Sequence, residues 1–360
     1  MKIVQCLFTI KTGGAQILVV DMLNEMCRHH DVSLIIVNDQ FNENILSQLN
    51  SNVKLYMINR KEGSLNPIPL LKLNLLLLKL KPDIIHCHEA NMARLIKVRG
   101  GKFVYTIHDV GIPVSLYHHF DSVIAISQAV YTDALFRITG DIRTVCNGIP
   151  VSSFTKRKEY TLKHDEKCRL VQVSRLMHTK KGQDILLKAL HQVIYHFGFE
   201  NVSLDLIGSG DSLDYLLELV EDLKLGQHVR FLGEKDRGWL FSNLSRYHLL
   251  VQPSFYEGFG LTILEGLAAG VPVLASNIDG PAEIIAQTRG GFLFEKGNVE
   301  NCATQIFRFI HMYQHNQVEV LMHHTLQSVE DKYSIQSCVR GYLTEYGYVI
   351  KHKHLKLQTA

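Results

Sequence analysis

Two glutamates stand eight positions apart in YEGFGLTILEGLAAGVPV, residues 256–273. Glu257 lies on a glycine-flanked turn and Glu265 just inside a helical pattern. Gly258 and Gly260 admit positive φ and let the backbone approach a ligand closely. A helix opening near Leu261 leaves its first amides, beside Phe259 and Gly260, unpaired and ready for a phosphate. A carboxylate repels a diphosphate, so both glutamates are suited instead to accepting hydrogen bonds from hydroxyls. Structural roles compete with this chemistry. Thr262 to Glu265 also matches a capping box, in which the glutamate satisfies a backbone amide. Glu257 is equally what a solvated turn would carry.

The surrounding elements must place these groups. LLVQP (249–253) reads as a buried strand before the turn, and the helix ends at Gly270 ahead of Pro272. The same alternation runs through the chain. Short apolar runs at 2–8, 32–37, 53–58, 83–86, 103–108, 122–127 and 142–146 read as strands. A helix follows the first, with Ala15, Val19, Met22 and Met26 on one face. Residues 152–167 (SSFTKRKEYTLKHDEK) turn polar and read as a linker. The pattern restarts with strands at 169–174, 202–207, 228–233, 249–253 and 271–276. Helices are expected over 184–196, over 212–223, after Gly260 and after Asn298. Continuous apolar strands between helices predict parallel sheets covered on both faces. The expected organisation is a first domain over 1–155, a second over 165–330, and a terminal helix within 331–360 packing back on the first. Ligands of such sheets bind at the carboxyl ends of the strands, here a central cleft faced by both domains.

Composition narrows the function. With 38 Lys and Arg against 35 Asp and Glu, the formal charge is +3 over 360 residues, which lacks the concentrated basic face of a nucleic-acid binder. Seven cysteines without a CxxC pair read as free thiols of a reducing cytoplasm. MKIVQCLFTIKTGGAQ reads as a first strand and turn, not a signal peptide, and no apolar run reaches the ~18 residues of a membrane span. A cytoplasmic or membrane-peripheral protein is expected. HCHE (86–89) has a metal-like HxH spacing, but no second ligand pair accompanies it, so no metal is expected. SLNPIPLLKLNLLLLKLK (64–81) reads as a well-buried helix, or as a basic, apolar face resting on anionic membrane.

The 256–273 stretch resembles the EX7E motif of the retaining glycosyltransferases of family 4, which have two Rossmann-like domains in the GT-B arrangement. Further segments follow in that family's order. VSRLMHTKKGQDILLKAL (173–190) is similar to its RL…KG segment, which makes Arg175 and Lys181 the diphosphate-binding cations. Such cations serve a departing nucleoside diphosphate without metal. LIGSGDSLDYL (206–216) resembles its glycine-rich turn, with Gly208 and Gly210 at the donor. HVRFLGEK (228–235), with Phe231, resembles the strand and loop beside which the base packs. SNIDGPAEII (276–285) resembles the loop near the donor sugar, with Gly280-Pro281 in place of Gly-Gly. KTGGAQ (11–16) looks like the Gly-Gly-Ala turn, with Gly13 and Gly14 opening the first helix. YTIHD (105–109) places His108 at the transferred sugar, as a contact or proton relay. VCNGIP (145–150) is similar to NGID, with Pro150 where an Asp is usual.

The resemblance implies a retaining, metal-independent hexosyltransferase that uses no cofactor and takes a nucleotide sugar, first a UDP-sugar, as donor. Glu257 and His108 would orient the sugar and Glu265 the ribose. It also implies a sugar acceptor, lipid-linked and met at the inner membrane, as in O-antigen, lipopolysaccharide or capsule assembly. No DxD occurs in the chain. The rivals are a GDP-mannose-dependent mannosyltransferase, a GT-B sugar-nucleotide epimerase and a degenerate binding scaffold. A dehydrogenase fails because neither glycine-rich turn completes GxGxxG with an acidic residue about twenty positions on.

Overall fold

Apolar runs bounded by helices become strands buried on both faces: in DVSLIIVN every residue after Asp31 is buried. The computed structural model describes all residues except Thr12, Arg99, Gly140, His164, 353–357 and Ala360. Contacts divide the chain into one unit of Met1–Ile149 with Ser334–Ala360, and a second of Pro150–Tyr333.

The first unit contains β1 (Lys2–Leu7), β2 (Asp31–Asn38), β3 (Lys54–Arg60), β4 (Ile84–Cys87), β5 (Lys102–Ile107), β6 (Ser122–Ala125), β7 (Ile138–Thr139) and β8 (Ile142–Thr144). Its main sheet is parallel, in the order β3-β2-β1-β4-β5-β6-β8. The second unit contains β9 (Cys168–Val173), β10 (Val202–Ile207), β11 (Val229–Gly233), β12 (Leu249–Gln252), β13 (Val273–Ser276) and β14 (Gly291–Phe294). They form a parallel sheet in the order β11-β10-β9-β12-β13-β14. A short β15 (Gln358–Thr359) pairs antiparallel with β7. The fold is thus α/β with two Rossmann-like parallel-sheet units. The GFLF strand β14 and the helices Val318–His323 and Thr325–Tyr333 were not anticipated, being short and without a periodic signal.

In the first unit, helix Gly14–Met26 buries Leu18, Val19, Met22, Leu23 and Met26. Helix Ile335–Lys351 brings Val339, Tyr342 and Tyr346 into the same core. The predicted terminal segment also includes residues 353–357 and Ala360, which lie outside the described residues.

Two expectations need correction. Residues 152–167 are not a linker, and the passage between units falls at Ile149/Pro150 and again at Tyr333/Ser334. The polar segment is tied into the second unit: Thr155 N donates to Phe241 O at 2.9 Å and Arg157 N to Ala269 O at 2.8 Å. The Arg157 guanidinium donates to Tyr247 O at 2.7 Å, and Leu162 is buried. Its polarity reflects one solvated side, while its backbone is paired. The leucine-rich helix, Ile68–Leu80, is not well buried either. Only Leu73 and Leu77 are, and Ile68, Leu71, Leu75 and Leu78 keep 46–68% of their surface exposed.

All seven cysteines are free thiols. Among the described residues no helix is long and apolar enough to cross a membrane.

Candidate functional site

The second unit's strand order makes β9 and β12 neighbours from which the chain departs in opposite directions. Loops leaving such a switch point diverge, and a crevice opens at the strands' carboxyl ends. The loop after β9 carries Arg175 and Lys181; the loop after β12 carries Glu257.

Contacts within the loop after β9 fix its shape, and others tie it to the loop after β12. Gln172 Nε2 donates to Lys181 O at 2.9 Å, and Gln183 Nε2 donates to Ser174 Oγ at 3.0 Å and Arg175 O at 2.9 Å. Phe255 N donates to Lys180 O at 2.9 Å. Gly182 follows the short helix His178–Lys181 with φ +67°, and a Cβ there would lie 2.0 Å from Pro253 O. Positive φ and backbone crowding together exclude a side chain. This close approach brings Lys181 Nζ to 2.5 Å from Glu257 Oε2, with both side chains about one-fifth exposed. Arg175 is exposed, and its guanidinium has no hydrogen bond or ion pair among the described residues.

Gly208 and Gly210 lay the loop after β10 against that after β9. Cβ atoms at these positions would come within 2.0 Å of Ser174 O and 2.4 Å of Leu176 O. Leu176 N donates to Ser209 O at 2.9 Å, and Ser212 Oγ lies 2.9 Å from His178 Nδ1. Phe231 is half-buried in β11, paired with Leu206.

At the turn, Gly260 with φ +110° is the N-cap of helix Leu261–Ala268, and no side chain caps it. Thr262 is then the second helical residue, so the Thr262–Glu265 capping box does not form. Glu265 stands half-buried in the second turn. The Phe259 ring is buried, 6.0 Å from that of Tyr333. The side chain expected at the donor is core, because an apolar ring on a tight turn gains most by burial; its backbone alone remains for a ligand. The helix Asp279–Thr288 packs here, its Gly280 against Phe259 O.

The first unit has its own switch point between β1 and β4. Gly13 is the N-cap of helix Gly14–Met26 with φ −179°, extended backbone open to any residue, so its φ does not require glycine. His108 directly follows β5. His88 Nδ1 lies 2.9 Å from His108 Nε2, and His88 Nε2 lies 2.6 Å from Gln5 Oε1. Gln5 Nε2 donates to Tyr346 Oη at 3.2 Å. His86 Nδ1 lies 2.5 Å from Tyr346 Oη and its Nε2 2.7 Å from Thr106 Oγ1.

Burial pushes His86 down to about 3 and His108 to about 4, and holds His88 well below the usual histidine range. Neighbouring histidines add to the effect on His86 and His88. Burial raises the adjacent Glu89 to about 7, opposed by the Phe8 amide it accepts at 3.4 Å. The HxH pair is thus stacked, with ring centroids 4.5 Å apart and all four nitrogens engaged within the protein. Among the described residues no three His, Cys, Asp or Glu side chains are arranged to hold a metal.

Sequence reasoning missed this network. Gln5, a polar residue inside the apolar strand KIVQCLF, was a local signal of it beside the histidines of HCHE and YTIHD. Nothing near His86 announces Tyr346, its partner 260 positions downstream.

The chain is similar to known proteins. The model of glycosyl transferases group 1 matches residues 153–319 and that of glycosyltransferase family 4 matches residues 12–153. The N-acetyl-α-D-glucosaminyl L-malate synthase of Bacillus anthracis is 30% identical over 255 residues, 63% of this chain and 65% of that protein. An uncharacterised glycosyltransferase of Methanocaldococcus jannaschii is 27% identical over 303 residues, 74% of this chain and 75% of that one. The chain therefore spans just under two thirds of the first relative's length and three quarters of the second's. Anabaena HepE, solved in complex with UDP and glucose, superposes with a TM-score of 0.77 at 21% identity, covering 96% of this chain and 99% of that one; its likeness is one of fold.

Proposed function

This chain belongs to the family 4 glycosyltransferases of the GT-B type, and we propose that it moves a hexose or N-acetylhexosamine from a nucleoside diphosphate sugar to an acceptor hydroxyl. The observation that carries this reading is the Lys181–Glu257 pair at the switch point of the second unit. Lys181 keeps ammonium hydrogens beyond the one shared with Glu257, and these, with the free guanidinium of Arg175, meet the charge that grows on a departing diphosphate. The amides of Phe259, Gly260 and Leu261 at the uncapped helix start add neutral donors. Glu257 has a second oxygen for a sugar hydroxyl, and Glu265 takes the ribose. The second unit is the donor-binding one. The first holds the acceptor and contributes His108 at the sugar. Side-chain cations do the work of a divalent metal, no cofactor takes part, and the anomeric configuration is retained.

A UDP-sugar is the first donor to test, since a protein of the same fold holds UDP and glucose; a GDP-mannose donor is the alternative. The exposed Ile68, Leu71, Leu75 and Leu78, with Lys72 and Lys79 on the same helix, support peripheral contact with an anionic membrane. They favour a lipid-linked sugar acceptor, as in O-antigen, lipopolysaccharide or capsule assembly at the cytoplasmic face of the inner membrane.

The test is a thermal-shift panel of UDP- and GDP-sugars, with and without EDTA. A ligand at one hundred times its Kd stabilises the native state by about 2.7 kcal/mol. The expected result is a rise in Tm that EDTA leaves unchanged and Lys181→Ala reduces. A shift abolished by EDTA would overturn the metal-free mechanism. No shift with any nucleotide sugar would overturn the donor site, and epimerised nucleotide formed without acceptor would point to an epimerase.

A further inference from the structure

We propose that Gln5, His88 and Tyr346 are positioning residues that fix the tautomer of His108, with its proton on Nε2 and a bare lone pair on Nδ1. The proposal rests on the reading above that His108 addresses the sugar, and it supplies the direction of that hydrogen bond.

The polarity follows from the chain of contacts. A neutral imidazole has one donor and one acceptor, and a tyrosine or threonine hydroxyl can pass polarity along. The 2.6 Å between His88 Nε2 and the Gln5 side chain is at the short limit for N–H···O and too short for N–H···N, which places the amide oxygen there. His88 then donates from Nε2, so its Nδ1 must accept, and His108 Nε2, 2.9 Å away, must donate.

The other end agrees. Gln5 Nε2 donates to Tyr346 Oη, whose hydroxyl donates to His86 Nδ1. His86 Nε2–H donates to Thr106 Oγ1, and Thr106 can donate to Tyr342 Oη at 3.2 Å. Every contact in the chain then has one donor and one acceptor, all running in one direction. Buried networks satisfied throughout hold a single arrangement.

One atom is left over. His108 Nδ1 is buried and has no hydrogen-bond partner among the described residues. With the proton on Nε2 it is an acceptor waiting for a donor, and a sugar hydroxyl is the ligand group that offers one. The reverse polarity would leave an orphaned N–H there, the rarer and costlier defect. The aromatic residues of the C-terminal helix therefore help set which way His108 faces its substrate chemically.

The experiment is long-range 1H–15N NMR on protein labelled at histidine, with the His108 signals identified by their loss in His108→Asn. The wild type at pH 7 should show the Nε2–H tautomer at His108. Tyr346→Phe, which keeps the ring and removes only the hydroxyl, and Gln5→Leu should each raise the Nδ1–H form from a minor to a comparable fraction. An Nδ1–H tautomer in the wild type, or an unchanged Nε2–H tautomer in both variants, overturns the proposal. UDP-glucose and GDP-mannose are then titrated in. A moving Nδ1 resonance supports the role at the sugar. A correct tautomer with an immobile Nδ1 resonance leaves the network standing and overturns the sugar contact alone.

Discussion

Lys181 Nζ and Glu257 Oε2 lie 2.5 Å apart, joining two loops that leave adjacent strands β9 and β12. Both side chains are only about one-fifth exposed, so water screens the pair less than it would an ion pair on the open surface. Lys181→Ala should lower kcat/KM by about two to three powers of ten, the usual effect of removing one donor to developing charge. A double-mutant cycle of Lys181→Ala with Glu257→Gln, read by urea unfolding, should give a coupling of roughly 1 kcal/mol. Additive stabilities would mean that the pair does not hold the loops.

Gly182 and Gly198 both have φ near +70°, but only Gly182 faces another backbone, with Pro253 O where its Cβ would be. Gly198→Ala should therefore cost about 1–2 kcal/mol, the backbone penalty alone. Gly182→Ala should cost more than that and also raise KM for the donor, because it parts Lys181 from the turn. Equal losses in urea midpoint would show that the crowding is relieved elsewhere.

Stability should depend on pH through the first unit. His86 and His108 have folded values of about 3 and 4 against an unfolded 6.5. The unfolded chain thus binds extra protons between those values, so the stability is full above pH 6.5 and lost as pH falls toward 4. Glu89 acts in the opposite sense, raised from 4.5 to about 7. The folded state keeps its proton, so this group destabilises progressively as pH rises from 4.5 through 7. Glu89→Gln should raise the urea midpoint at pH 8, by at most about 3 kcal/mol of stability, and leave it unchanged at pH 4.5. No gain at pH 8 would mean that the carboxylate is solvated.

Leu71 and Leu75 are more than half exposed on helix Ile68–Leu80. Leu71→Ser with Leu75→Ser should leave Tm nearly unchanged, since little buried area is lost. The same variant should co-sediment less with vesicles containing anionic lipid, and high salt should reproduce part of that loss through screening of Lys72 and Lys79. Equal sedimentation of variant and wild type would remove the membrane contact.

Local chemistry was legible in the sequence because it is written within a few residues. The alternation of apolar strands and helices gave the two parallel sheets, and the Glu257–Glu265 spacing with its glycines gave the strand–turn–helix that carries them. Glu265 shows where local reading stops. Its neighbours fit a capping box and a ligand contact alike, and only the backbone at Gly260, φ +110°, moved the helix start and ruled out the box. The segment 152–167 looked like a linker because composition reports solvent contact but not backbone pairing. Which side of helix Ile68–Leu80 meets protein, and which aromatic residue closes the His86–His88–Gln5 network, depended on elements up to 341 positions apart, as for Gln5 and Tyr346. Such pairings arise when many weak contacts are summed over a packed core. No window of neighbouring residues contains that sum, so the tertiary structure alone decided them.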